Sequence, residues 1–171
     1  MTTSATRPST TRLAPAPGTA QAVMTDLREF LAFKIGNEEY GVDILRVQEI
    51  RTYEKPTTIA NATGELLGVM NLRGVIVPIL DLRLKLGQPA VQYDHLKVVI
   101  VLHIGQRTVG VVVDGVSDVL TLEREQLRPV PALRGNVKPE HLLAIGSVGP
   151  RMLILLDIEK FLARPVAGEA L

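Results

Sequence analysis

From Glu29 onward, apolar and polar positions alternate with the period of two that a half-buried β-strand imposes. Phe30–Ile35 reads as a strand, Gly36-Asn37 as a two-residue turn and Glu39–Ile44 as the returning strand. The alternation breaks at Leu45-Arg46, where a bend or bulge re-aims the side chains that follow. Val47–Arg51 is then a further strand with Val47 and Glu49 on one face. Thr52–Thr63 is a polar connection around Pro56, and Gly64–Gly68 is too short and glycine-flanked for more than one helical turn.

The stretch from Gly68 to Leu82 organises the rest. It sets a polar turn, Asn71-Leu72-Arg73-Gly74, between two apolar strand-like runs. Glycine allows φ > 0 in a tight turn, which directs the neighbouring Arg73 off the sheet. Arginine keeps its charge and offers a rigid fork of donors suited to a carboxylate. Val75–Leu80 is almost wholly apolar, as in a strand buried on both faces, yet Pro78 removes a ladder donor and belongs on an edge or at a bulge. A small barrel with an open seam satisfies both conditions, and open seams invite partners. Arg83–Leu86 follows as a short turn or helix ended by Gly87 and Pro89.

The pattern then recurs. Val99–Val111 lies over Phe30–Val42 without a gap: Gly36 meets Gly105, Gly41 meets Gly110, and in the same register Val47 meets Val116 and Thr52 meets Thr121. Leu66-Leu67 pairs with Leu142-Leu143, and Ile79–Leu82 with Leu155–Ile158. The chain is thus two related halves of roughly 65–75 residues, each too small to be comfortably stable alone, so they should share an apolar boundary. The halves differ at the turn, since Ser147-Val148-Gly149-Pro150 projects no charge where the first half has Arg73. Arg128–Pro131 and Gly135–Pro139 mark a long loop, and Glu159–Ala163 a short C-terminal helix stopped before Pro165. The expected organisation is a disordered leader over residues 1–26, a domain over 27–164 with two barrel subdomains near 27–87 and 95–158 that exchange strands in an undetermined way, and a tail over 165–171.

Of the 171 residues, 46% are hydrophobic but only 4% aromatic, with no Trp, so Val, Ile and Leu must build the core, which favours sheet. A net charge of +1 argues against a nucleic-acid or anionic-membrane binder acting through counterion release. Cysteine is absent, which removes disulfides, thiolate nucleophiles and zinc–cysteine sites and fits a reducing compartment. No apolar run approaches the roughly 20 residues of a membrane helix. The leader lacks a secretory h-region; its Arg, Thr and Ser bias is shared with organellar transit peptides, but its prolines spoil an amphipathic helix.

Catalytic chemistry finds little footing. His95, His103 and His141 show no metal-ligand spacing, and His103 reads as a strand-face histidine. Asp114 and Asp118 flank a turn but supply too few oxygens for calcium, and they read as turn and solvent-facing carboxylates. Asp81 and Asp157 stand at matching strand ends, where a carboxylate accepts backbone donors and starts the next turn. Gly110–Val116 is not a phosphate loop, and Ser117 has no nucleophile-elbow context. No catalytic residue, metal site or cofactor is expected.

Glu39–Ile50, Asn71–Arg83, Gly110–Leu120 and Arg151–Lys160 together resemble the CheW family of chemotaxis coupling proteins, in order and over about Glu29 to Leu162. The resemblance implies an all-β fold of two SH3-like five-stranded barrels side by side. It implies a non-enzymatic cytoplasmic adaptor, recruited to receptor arrays, that joins the cytoplasmic tip of a chemoreceptor to the histidine kinase CheA, whose similar regulatory domain can alternate with it in rings. In the family the receptor helix docks in the groove between the barrels; the matching positions are Val47, Glu49, Gly68, Arg73 and Val119. Val98 and Gly110 are the corresponding positions for the kinase. A Glu49–Arg73 pair at the rim would fix the arginine fork, and Val47 and Val119 would form an apolar floor unless they are simply core. The competing function is a small-barrel nucleic-acid-binding protein, which would need a basic stripe with stacking aromatics. An enzyme of unrecognised mechanism, centred on Asp114 and Asp118, is the third.

Overall fold

The computed structural model describes residues 27–62, 64–89, 91–131 and 138–163; the leader, the Gly135–Val137 part of the long loop and the C-terminal tail lie outside these. The described residues form β1 (Arg28–Ile35), β2 (Glu38–Asp43), β3 (Val47–Thr52), β4 (Leu66–Leu72), β5 (Val75–Asp81), β6 (Val98–Ile104), β7 (Arg107–Val113), β8 (Gly115–Leu122), β9 (Leu127–Arg128), β10 (Leu142–Val148) and β11 (Arg151–Leu156). Two one-turn helices, Leu82–Lys85 and Ile158–Phe161, follow β5 and β11, each capped by the aspartate that the sequence places there. Asp81 Oδ1 accepts from the Leu84 N–H and Asp157 Oδ1 from the Lys160 N–H, both at 3.2 Å.

Neither sheet belongs to one half of the sequence. One runs β3-β6-β7-β5-β4 and the other β8-β1-β2-β11-β10-β9. Under the repeat register these are the same order twice, with the two-residue β9 added to the second. The first barrel therefore takes the opening hairpin of the second half (β6-β7), and the second barrel takes the opening hairpin of the first (β1-β2). The parallel joins β5–β7 and β2–β11 are where each donated hairpin is received. A boundary near residue 90 thus separates the repeats but not the sheets.

The cause lies in the donated strands. β1 and β6 are apolar on both faces, so each needs cover on both sides. Phe30 and Ala32 point into the second barrel with Leu122, Leu153 and Leu155, and Val99 and Val101 point into the first with Val77, Ile79 and Val112. The opposite faces, Leu31, Phe33 and Ile35 with Ile100, Leu102 and Ile104, meet in one cluster shared by both sheets. This is the apolar boundary between the halves that their small size required.

Gly64–Gly68 forms no helix, in keeping with its short glycine-flanked run: β4 begins at Leu66, which pairs with Leu80, and Gly68 pairs with Ile79. Two local expectations change. Val75–Leu80 is buried only from Val77; Val75 and Ile76 extend past the β7 ladder and stand exposed, Ile76 by 61%. Pro78 sits in a strand with neighbours on both sides, but the β7 ladder starts at Ile79, so its missing N–H costs no bond there.

Gly110 and Gly41 occupy equivalent sites where the hairpins cross the receiving strands. A Cβ on Gly110 would lie 2.6 Å from Ile79 Cδ1, and one on Gly41 2.6 Å from Leu155 Cδ2. Gly110→Ala should destabilise the protein by about 1–3 kcal/mol through overpacking. Because the barrels share strands and core, calorimetry should show one transition moved as a whole, with no separate loss of one barrel. Asp81 is 1% exposed, and burial raises its pKa above the usual value despite backbone bonds from Leu84 and Arg83. A raised carboxyl pKa favours the folded state at low pH and loses that contribution as pH rises through it. Relative to Asp81→Asn, whose amide oxygen can still cap, the wild type should therefore lose stability from acid to neutral pH in denaturant titrations.

Candidate partner-docking site

The β4–β5 hairpin turns in two residues, with Leu72 opposite Val75. Both turn residues have positive φ, 52° at Arg73 and 88° at Gly74, as a type I′ hairpin requires. The expected four-residue turn is thus tighter, and the arginine itself, not only its glycine, is left-handed, a conformation costing about 1–2 kcal/mol in a non-glycine residue. Asn71 Oδ1 accepts the Gly74 N–H at 2.7 Å and holds the tip in place.

Arg73 Nη1 lies 2.7 Å from Glu49 Oε2. Glu49 belongs to β3, one edge of the first sheet, and Arg73 joins β4, the other edge, to β5. The pair therefore spans the open seam of the barrel. Arg73 is 70% exposed and Glu49 19%, and Arg51 adds a second contact to Glu49 at 3.2 Å. With Arg73 donating foremost, and Arg51 also beside it, Glu49 is held below the usual carboxylate range. The pairing expected at the rim is present, with much of the guanidinium open to solvent.

The other expected docking residues divide into two kinds. Val47 is half-buried against the shared core, while Val119, on β8, is 47% exposed. Val47 thus serves the core as well as the surface, and Val119 is free to touch a partner. Gly68 is buried, and a Cβ there would lie 2.2 Å from the Thr57 carbonyl oxygen. Its φ of 151° and the slipped β4 register beside it let the Thr57 backbone lie directly on the strand, bridged to Val69. Val98 is half-buried at the start of β6, whereas Gly110 is enclosed between Ile79 and Val99 and presents no surface.

Of the two carboxylates read as solvent-facing, Asp118 is exposed but ion-paired, whereas Asp114 is largely covered. Asp114 stands where the chain crosses from the first sheet to the second and accepts from Arg83 Nη2 (2.5 Å) and the Gly36 N–H (2.6 Å), with Lys97 Nζ at 3.3 Å. Burial acts against its charge, but these donors prevail and its pKa is lowered. Asp118 is gripped by Arg151, a residue sequence reasoning did not single out. The second hairpin does carry a charge after all, displaced past Pro150. Among the described residues, no cluster of His, Asp or Glu has the make-up of a metal site, and no helix is long and apolar enough to cross a membrane.

Residues 29–166 match the family model for the CheW-like domain. The chain belongs to the CheW family. It is 60% identical to the chemotaxis protein CheW of Klebsiella aerogenes, over 80% of this chain and 82% of that one. It is 34% identical to the chemotaxis protein CheW of Rhizobium meliloti, over 77% of this chain and 85% of that one. The crystal structure of the scaffolding protein TtCheW from Thermoanaerobacter tengcongensis shares the fold, with a TM-score of 0.73 over 80% of this chain and 93% of that one at 23% identity. The all-β fold of two SH3-like barrels is therefore that of the family.

If Arg73 is held by Glu49 at the expense of backbone strain, Arg73→Gly should separate the two. The glycine relieves roughly 1 kcal/mol of left-handed strain but loosens the unfolded chain by a similar amount, so the melting temperature should stay nearly constant. Carboxyl-detected NMR titration should show the Glu49 pKa rising towards its ordinary value in the same variant.

Proposed function

We propose that this CheW-family protein is a non-enzymatic scaffold that joins the cytoplasmic tip of a chemoreceptor to the regulatory domain of the kinase CheA. The observation that carries this reading is the exposed guanidinium of Arg73, fixed in a left-handed turn by Glu49 across the barrel seam. A charged fork already locked in place loses little freedom on binding, so it can orient a helix without much entropic penalty. On the edge strands β8 and β3, the exposed apolar side chains Val119 and Ile50 give an amphipathic helix something to bury. Val47 and Gly68 support the site from beneath, Val47 by joining the shared core and Gly68 by admitting the Thr57 backbone.

For the kinase, Val98 offers a partly open contact at the start of β6. Gly110 acts only through the packing of the donated hairpin, so its effect on a kinase contact is indirect. Two barrels of one order also suit alternation with the kinase's own similar domain, or with further copies of this chain, in a ring beneath a receptor array. In that setting the protein works in the cytoplasm, recruited to the membrane by its receptor.

Arg73→Asp places a carboxylate beside Glu49 and reverses the presented charge. It should abolish pull-down by a receptor-tip fragment while far-UV circular dichroism and the melting temperature stay close to wild type, because an exposed pair contributes little to folding. Purified receptor fragment and CheA should show receptor-dependent kinase activation only when the wild-type protein is added. Survival of receptor binding in the variant would remove the site assignment, and activation without the protein would remove the coupling role.

A further inference from the structure

Continuing the register that superposes the halves places Asp118 on Glu49 and Ser117 on Gln48. The ladders slip at these same places: β3 passes from Val47 to Glu49 against consecutive residues of β6, and β8 passes from Val116 to Asp118 against consecutive residues of β1. Each half therefore has a bulge one residue before its carboxylate. Both strands are sheet edges, β3 in the first sheet and β8 in the second. A bulged edge strand has ladder bonds on one side only and a gap within them, so its outward side chains need another anchor.

In the first barrel the anchor is Arg73. In the second it is Arg151, which opens β11. Its Nε and Nη2 donate to Glu39 Oε1 and Oε2 at 3.0 and 2.7 Å, and its Nη1 and Nη2 donate to Asp118 Oδ2 and Oδ1 at 3.1 and 2.9 Å. The planar guanidinium thus forks onto two carboxylates at once. Glu39 lies on β2, which is laddered directly to β11, so that half of the contact sits among interior strands. Asp118 lies on the bulged edge strand β8, and the next residue is the exposed Val119.

We propose that Arg151 is a positioning residue for receptor docking: by tying Asp118 to β2 and β11 it holds β8, and with it Val119, in place on the second barrel as Arg73 holds the rim of the first. This rests on the reading that Val119 meets the receptor helix. Asp118 is about as open to solvent as an ordinary surface partner, so cutting the tie should loosen β8 locally and leave the shared core intact.

The test compares full-length wild type with Asp118→Ala, Arg151→Lys and the control Arg73→Asp. Three readouts are taken: amide hydrogen exchange, melting temperature and affinity for a receptor-tip fragment. In Asp118→Ala, exchange over Val116–Thr121 should accelerate while the β10–β11 hairpin keeps wild-type rates, and fragment affinity should fall about tenfold, the effect of one lost charge-assisted contact. Arg151→Lys, a point charge unable to fork onto both carboxylates, should fall between wild type and Asp118→Ala. Unchanged β8 exchange in Asp118→Ala overturns the proposal, as does faster exchange with undiminished affinity. Should either Arg151 or Asp118 variant fail to fold cooperatively, a local positioning role is likewise overturned. If Arg73→Asp abolishes binding but Asp118→Ala does not, the receptor site stands and only the role of Arg151 falls. If Arg73→Asp still binds, the receptor-site reading has failed, and β8 exchange alone decides whether Arg151 holds the strand.

Discussion

Two strands with no polar face, β1 and β6, govern the architecture. Each must be covered on both sides, and neither half of the chain has enough apolar surface to do so alone. Reciprocal donation solves this: each opening hairpin completes the other half's barrel and turns its second face to a common layer. That layer joins Leu31, Phe33 and Ile35 to Ile100, Leu102 and Ile104, so the barrels cannot come apart without exposing the same core. Two barrels held together through one core keep a fixed relation to each other.

The exchange also creates a difficulty that ion pairs resolve. Each sheet ends in a bulged edge strand, β3 or β8, with ladder bonds on one side only. Glu49–Arg73 ties β3 to the β4–β5 turn and Asp118–Arg151 ties β8 to the start of β11, at corresponding carboxylates but by arginines at different positions of their hairpins. Where the chain crosses between sheets, Asp114 gathers Arg83, Lys97 and the Gly36 amide, while on the other crossover Arg46 meets Glu159 at 2.7 Å with the polarity reversed. These ion pairs thus lie at edge strands and crossovers, where ladders cannot supply order.

The positions that the family resemblance picks out have different physical roles here. Arg73 and Val119 are open enough to touch a partner. Gly68 is there because the Thr57 backbone occupies the space of a side chain, and Gly110 because Ile79 does. Substitution at the glycines would act first through packing, whereas at Arg73 and Val119 it would act at the surface.

Strand positions, the repeat, the capping aspartates and the charged tip at Arg73 could be read from the chain because each depends on neighbours within a few residues: alternation, turn chemistry and glycine are local signals. The partner of Arg73 followed from the family resemblance, whereas the expectation that Val47 and Glu49 share a face fails: the bulge between them sets them against Leu102 and Val101, and so turns them to opposite faces of β3. What the chain alone left open was which hairpin completes which barrel, because a strand apolar on both faces carries no mark of its ladder partner. Arg151 escaped notice for the same reason. Its role depends on Glu39 and Asp118, distant in sequence and brought together only by the exchange. The exposure of Val75 and Ile76 and the enclosure of Gly110 were likewise settled by where neighbouring ladders begin and end, which is a property of the assembled sheets and not of any one stretch.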